Sequence, residues 1–180
     1  MQVRASYPRA TFARIKELPE EQRARALERL QPSTFAALAS ASRPSDWMDG
    51  RAHIDLDDRL LEELGRQGFE RYCRDLVIQM LRWGLFLPIL AGRLRRPAAL
   101  LKAVPLAFQA LFRHAGRVDV AGRAGRVVVR HRDPPAVIVQ SQSWVDGFAA
   151  TLLGMLDLCR VQGNVVGALE GTDVILEVRW

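Results

Sequence analysis

Three histidines, two cysteines, a cluster of arginines and the adjacent carboxylates of residues 57–63 are the residues of this 180-residue chain that could do chemistry. His53, His114 and His131 could each serve as a ligand or a pH sensor, because an unperturbed imidazole changes charge at about pH 6.5. Each is expected in or beside an exposed loop with no ligand partner nearby, so a surface histidine is the simpler reading. Cys73 and Cys159 lie far apart, without a Cys-x-x-Cys spacing or a histidine at ligand distance, which excludes a structural zinc site. Cys73 falls on an apolar helix face with no base beside it, so it reads as a small hydrophobe, not a nucleophile. Arg93, Arg95 and Arg96 cluster just before a helix start and could contact an anion such as phosphate. Asp57-Asp58 and Glu62-Glu63 resemble a paired acid and base only superficially; their spacing suggests a solvated helix face.

The motifs of common enzymes are missing. The chain has no G-x-x-x-x-G-K-S/T phosphate loop, no H-E-x-x-H and no G-x-S-x-G. Gly122-Arg123-Ala124-Gly125 lies between strands and does not lead into a helix, so it is no dinucleotide fingerprint. No enzymatic activity is expected.

The elements that would position these residues follow from periodicity. Short helices joined by loops are expected at the N-terminus, opening at Pro19-Glu20-Glu21, at Thr34 and at Asp55. Gly65 is placed to cap the third of these. Arg43-Pro44-Ser45-Asp46 is a turn-rich break, with Trp47 as an anchor for it. From Arg66, apolar residues recur every three or four positions (Phe69, Tyr72, Cys73, Leu76, Val77, Met80, Leu81), which predicts an amphipathic helix ending before Pro88. The apolar run 83–90 is too short to cross a bilayer, which takes about 20 residues. Arg96-Pro97 introduces a helix whose buried face includes Leu100, Leu101, Val104, Phe108, Leu111 and Phe112, kinked or divided at Pro105. Beyond Gly116 the period changes to two. A hairpin is expected over 117–130, a third strand over 136–140, a helix over 144–161 and a last hairpin across Gly171-Thr172-Asp173.

At 49% hydrophobic and 26% charged residues, the chain is neither disordered nor collagen-like. Met1 to Ala10 does not read as a signal peptide, and two cysteines suit a reduced, cytoplasmic setting. Charge is unevenly spread. Residues 66–132 carry fourteen basic and three acidic side chains, +11, between segments of −1 and −4. Such a block could attract nucleic acid, anionic lipid or an acidic protein. Its lack of interleaved aromatics or a basic recognition helix speaks against nucleic acid.

Leu64-Gly65-Arg66-Gln67-Gly68-Phe69, the segment from Arg96-Pro97 to Pro105, Gly116-Arg117-Val118, Gly154 with Leu156, and the closing strand Asp173 to Trp180 occur in an order that resembles a myxobacterial family of paralogous proteins of unknown function. That family is similar in turn to the superfamily of ligand-binding domains in nitric-oxide signalling and Golgi transport, which includes 4-vinyl-reductase-type domains, transport-complex subunits and haem-based sensors. The resemblance covers residues 64–180, so 1–63 is expected to be an N-terminal helical segment and 64–180 a ligand-binding-like domain. It implies an α+β fold: helices, then a small antiparallel sheet in the order β-β-β-α-β-β, covered by helices. It also implies an apolar ligand held between helices and sheet, or dimerisation. Haem binding in that superfamily uses a helix histidine and a Tyr-x-Ser-x-Arg contact. Tyr7 and Tyr72 are the only tyrosines, and Tyr72-Cys73-Arg74-Asp75-Leu76 does not match, so neither haem nor any other cofactor is expected. The resemblance to the transport subunits would make Cys73 the counterpart of their acylated cysteine, which needs a tunnel beside it.

These readings combine into a non-enzymatic cytoplasmic sensor or protein-interaction module. Its pocket would be lined by Trp83, Phe86, Phe108, Phe112 and Cys73, and would take a small apolar ligand or a fatty acid. A homodimeric scaffold and a binder of anionic partners through 66–132 are the alternatives.

Overall fold

Helix formation begins early: the computed structural model, which describes residues 1–82 and 96–180, has a three-residue strand β1 (Gln2–Arg4) leading straight into α1 (Ser6–Lys16). Then come α2 (Glu20–Arg29), α3 (Pro32–Ser40), β2 (Trp47–Asp49) and the long helix α4 (Gly50–Arg82). Pro32 opens α3 at the position where a missing N–H costs nothing. Gly65, at φ 65° and ψ 170°, breaks the helical dihedrals inside α4 and divides it into two rods. That conformation favours glycine, which has no Cβ to clash. The expected helix end at Gly65 is thus a break within a longer element.

The first rod of α4 is held by α1 to α3 through polar contacts that replace the expected solvated acidic face. Asp55 Oδ2 accepts from Gln31 N (2.9 Å) and Thr34 Oγ1 (2.6 Å), satisfying donors at the start of α3. Arg25 pairs with Glu63 and Arg29 with Glu62, each at 2.8 Å. Asp57 is buried, as is the side chain of Glu63. Asp57 faces α1, Glu62 and Glu63 face α2, and Asp55 faces α3, tertiary neighbours that local spacing does not show.

Residue 96 leads into α5 (Pro97–Leu101) and α6 (Val104–Leu111), two consecutive helices with Pro105 in the first turn of the second. β3 (Phe112–Arg113) joins β1 and β2 in a three-stranded antiparallel sheet, order β2-β1-β3. The guanidinium groups of Arg4 and Arg113 lie 4.0 and 4.1 Å from the ring of Trp47, fixing the loop that Trp47 was expected to anchor.

The C-terminal half is β4 (Arg117–Arg123), β5 (Arg126–Arg132), α7 (Ala136–Val139), α8 (Gln142–Leu158), β6 (Asn164–Glu170) and β7 (Asp173–Arg179). The four strands form an antiparallel sheet, order β4-β5-β7-β6, with Val127 opposite Val178 and Val129 opposite Leu176. The α+β class with a helix-covered antiparallel sheet holds. Residues 136–140, expected as a third strand, instead make the single turn α7. Pro135 starts it, and its carbonyl accepts from Ile138 N (2.8 Å) while Ile138 is buried. Burial of one isoleucine there outweighs the β-branched composition. Ser141 caps α8, accepting from Trp144 N at 3.1 Å.

Val127, Val129, His131, Val174, Leu176 and Val178 form the inner face of this sheet and are fully buried. They share one core with Leu76, Val77, Leu100, Phe108, Trp144, Leu152 and Leu156. α4 and α8 run closely together where Gly154 meets α4; a Cβ at Gly154 would lie 2.9 Å from the Arg74 carbonyl oxygen.

Four arginines of the basic block meet acidic residues of the C-terminal segment. Arg66 pairs with Asp146 (2.9 Å), Arg74 with Asp157 (2.8 Å), Arg126 with Glu177 (2.8 Å), and Arg130 with Glu170 and Asp173 (3.4 and 3.6 Å). The acidic C-terminal segment folds back onto part of the basic middle and offsets some of its charge.

Candidate functional site

A cavity of about 100 Å³ lies where α1, both rods of α4, α5, α6 and α8 converge, with Phe112 of β3; among the described residues none from β4 to β7 lines it, so the space lies among the helices and not, as expected, between helices and sheet. Its apolar wall comes from Val77 and Met80 on α4, Leu100 on α5, Val104, Phe108 and Leu111 on α6, and Phe148 and Met155 on α8. Helical spacing supplies these contributions: Cys73, Val77 and Met80 follow one stripe of α4, and Trp144, Phe148, Thr151 and Met155 one stripe of α8.

Aromatic rings frame the space. Phe108 and Phe112 have centroids 4.9 Å apart, Phe112 and Trp144 5.2 Å, and Phe108 and His131 5.0 Å. Tyr7 meets His53 edge to face at 5.0 Å. Such edge and offset contacts are the preferred aromatic geometry and hold the rings in place.

One end is polar. Tyr7, His53, Asp57, Cys73, Ser143 and Thr151 reach it from α1, α4 and α8. Tyr72 OH donates to Thr11 Oγ1 (3.0 Å), and Thr11 donates in turn to Asp57 Oδ1 (3.0 Å). The other carboxyl oxygen of Asp57 lies 3.5 Å from His53 Nδ1. Burial pushes Asp57 up to about pH 8 against the lowering effect of the Thr11 bond, with the Asp58 charge adding to the rise. Burial pushes His53 down to about 3. At neutral pH this end is therefore a carboxylic acid beside an uncharged imidazole. Burial, with the nearby Asp57 carboxyl contributing, raises Cys73 well above the ordinary thiol range, so the thiol stays protonated and no nucleophile is activated.

Two of the expected exposed histidines are in fact buried. His53 lies inside α4, because that helix starts at Gly50, before the expected start at Asp55, and His53 then falls in register with Leu56 and Leu60. His131 continues the inward alternation of Val127 and Val129 on β5, and its Nε2 lies 2.6 Å from the Ala115 carbonyl. Both signals are present in the sequence as a period of 3.6 and a period of two. Neither His53, Asp57 nor Trp144 was among the pocket residues expected from sequence.

Of the residues that were, Phe108, Phe112 and Cys73 line this cavity together. Trp83, Phe86, Arg93 and Arg95 lie outside the described residues. Arg96 is exposed and borders a surface groove with Lys102 and Trp180, away from the cavity lining. Among the described residues, no group of three His, Cys, Asp or Glu side chains could hold a metal ion.

No family model and no curated protein matches the chain. Solved structures do. The Fe(II) unliganded H-NOX protein from K. algicida aligns with a TM-score of 0.67 at 8% identity, over 98% of this chain and 95% of that one. A Cs H-NOX mutant carrying 4-cyano-L-phenylalanine aligns at 0.63 and 14%, over 98% and 94%. A point mutant of T. tengcongensis H-NOX aligns at 0.60 and 12%, over 98% and 95%.

Other matched H-NOX structures concern haem distortion, so the fit of a haem can be tested on these residues. The space is about 100 Å³, against the roughly 300–1,000 Å³ of pockets for drug-sized ligands, with Trp144, Phe108 and Phe112 crowded along its wall. Among the described residues no arginine or lysine lines it to meet a propionate, and the carboxyl they place there, Asp57, is held protonated. The residues present do not fit a haem. The chain has the H-NOX fold, built around a small, uncharged, aromatic-walled cavity.

Proposed function

We propose that this domain is a non-enzymatic cytoplasmic sensor or protein-interaction module whose cavity holds a small apolar ligand among its helices. The observation that carries the reading is the cavity itself: an apolar space framed by Phe108, Phe112 and Trp144 in an otherwise well-packed core. Binding sites are typically apolar concavities with a few convergent polar groups, and Tyr7, His53 and Asp57 supply those here. The protonated Cys73 and the absence of an activated nucleophile support a binding role over catalysis. The cysteines are both unpaired, in keeping with a reducing compartment. Thermal unfolding in the presence of small neutral hydrocarbons tests the reading. A ligand that binds only the native state at 100 times its Kd stabilises it by about 2.7 kcal/mol, and a Tm unmoved by every candidate removes the proposal.

A homodimer is the second reading, favoured by β6. This strand is the edge of the sheet, and its Val166 and Leu169 are 61% and 52% exposed. An exposed apolar edge strand is a ready template for pairing with a second copy. Sedimentation of the wild type and of Leu169→Lys tests it: a monomer at micromolar concentration in both removes it.

A further inference from the structure

The four-stranded sheet has two edges, β4 and β6, and they differ in how they are protected. An edge strand presents unpaired N–H and C=O groups to any other strand, and natural sheets guard such edges with charges, kinks or a covering element. β4 is guarded. Arg117 and Arg123 stand at its ends with Asp119 between them, and Gly122, at φ 130°, takes it out of regular strand geometry. β6 is not. Asn164 to Glu170 hold no proline, lysine or arginine, Glu170 alone carries a charge, and every residue except Val165 is exposed. Among the described residues, β7 is the strand that pairs with it.

The strand that suits this edge can be read from β6 itself. Two copies of one strand related by a two-fold axis perpendicular to the sheet pair antiparallel, and residues of one face must meet residues of the same face. Asn164, Val166, Ala168 and Glu170 lie on the outer face, opposite Arg179, Glu177, Ile175 and Asp173 of β7. Val165, Gly167 and Leu169 lie on the helix side, opposite the buried Val178, Leu176 and Val174. An axis through Gly167 keeps the faces matched and pairs the strand along its whole length. Val165 then meets the partner's Leu169, Val166 the partner's Ala168, and Asn164 the partner's Glu170. No like charges are opposed, and the 52% exposed Leu169 gains an apolar neighbour.

Charge complementarity supports the same register. Arg179 flanks Asn164 on the outer face, so Glu170 comes within two strand spacings, about 10 Å, of the partner's Arg179, a span that the two long side chains can bridge. The same operation applied to β4 sets Arg117 against the partner's Arg123 twice, a like-charge contact. Pairing β6 with β4 of another copy meets the irregular backbone at Gly122 and leaves a free edge at each end of a growing filament.

We propose that β6 joins β6 of a second copy, antiparallel about Gly167, so that two four-stranded sheets become one continuous sheet. This rests on the homodimer reading and deepens it by fixing the surface and its register.

Sedimentation of the full chain over the micromolar range is the test. The wild type is expected as a dimer with no larger species. Val166→Lys should raise the dimer dissociation constant at least about tenfold, because the axis applies the substitution twice. Ala121→Lys, equally exposed but on β4, should leave it unchanged. The register is read from a charge pair. Ala168→Glu alone also weakens the dimer, whereas Val166→Lys with Ala168→Glu in one chain restores it, since the axis through Gly167 sets each new lysine opposite the partner's new glutamate. Circular dichroism checks that each variant keeps the wild-type fold. A wild type that stays monomeric overturns this inference and the homodimer reading together, as does a dimer that Val166→Lys leaves intact. A dimer weakened by Val166→Lys but not restored in the double variant, or one that grows into longer species, overturns the register and leaves the use of β6 standing.

Discussion

His53 and Asp57 stand one turn apart on α4, both enclosed, with the imidazole Nδ1 3.5 Å from a carboxyl oxygen, and both are held in their uncharged forms. In water at neutral pH the same two residues would be largely a carboxylate and, in part, an imidazolium. Folding therefore transfers protons at this point of the cavity wall, and stability must depend on pH through the pair.

The dependence has a definite shape. Asp57 keeps its proton in the folded state up to about pH 8 but loses it at about 3.9 when unfolded, so it lowers stability as pH rises through that window. His53 titrates at about 3 folded and about 6.5 unfolded, so it raises stability with pH between those values. The two effects oppose one another from about pH 4 to 6.5. Above that only Asp57 acts, and stability should fall by about 1.4 kcal/mol per pH unit up to pH 8. Urea unfolding at pH 5, 6.5 and 8 measures this. In Asp57→Asn, which has nothing to ionise, the loss between pH 6.5 and 8 should disappear.

Filling the cavity should separate binding from folding. Ala107 lines it on α6, and Ala107→Leu adds three carbons to a space of about 100 Å³. The variant should be as stable as wild type or more so, by about 1 kcal/mol, since filled space regains contacts that a void lacks. Its affinity for any guest of the cavity should drop at least tenfold. A less stable variant that binds as well as wild type would mean that the side chain has gone elsewhere.

The close approach of α4 and α8 makes a different prediction. Gly154→Ala places a methyl 2.9 Å from the Arg74 carbonyl oxygen and against Val77. Both helices would have to move apart, and overpacking of this kind costs about 1–3 kcal/mol. Chemical denaturation should show that loss, even though alanine is the better helix former.

Helix α8 ends in a left-handed turn with an unexpected residue. Val161 N bonds Leu156 O (3.1 Å) and Arg160 N bonds Asp157 O (2.9 Å), with Arg160 at φ 57°. This is the two-bond C-terminal motif that glycine normally occupies. The glycine of this stretch, Gly163, lies three residues further on. Arg160→Gly should therefore stabilise the protein by about 1 kcal/mol, read as a higher Tm.

Much of the fold was legible because its signals are local. Prolines 32, 97 and 105 mark helix starts, Gly65 marks the break in α4, and the alternation of 126–130 and 174–178 marks inward strands. Phe108, Phe112 and Cys73 were placed on buried faces for the same reason, and the structure brings them to one cavity. The polar end was not legible. Starting α4 at Asp55 rather than Gly50 left His53 in a loop and made Asp57 look like a first-turn acid facing solvent. Only Tyr72 and Thr11, from elements distant in sequence, show what Asp57 faces. The partners of Arg66, Arg74, Arg126 and Arg130 in the +11 block were hidden in the same way: Asp146, Asp157, Glu170, Asp173 and Glu177 are far along the chain and near in space.

That an apolar void lies among the helices is tested most directly by a crystal of the protein exposed to xenon gas. Xenon enters dry apolar cavities without needing a polar contact. The account predicts a xenon atom among Phe108, Phe112, Trp144 and Met155, and none in crystals of Ala107→Leu. Side chains filling that volume in the wild-type crystal, with no xenon among them, would contradict it.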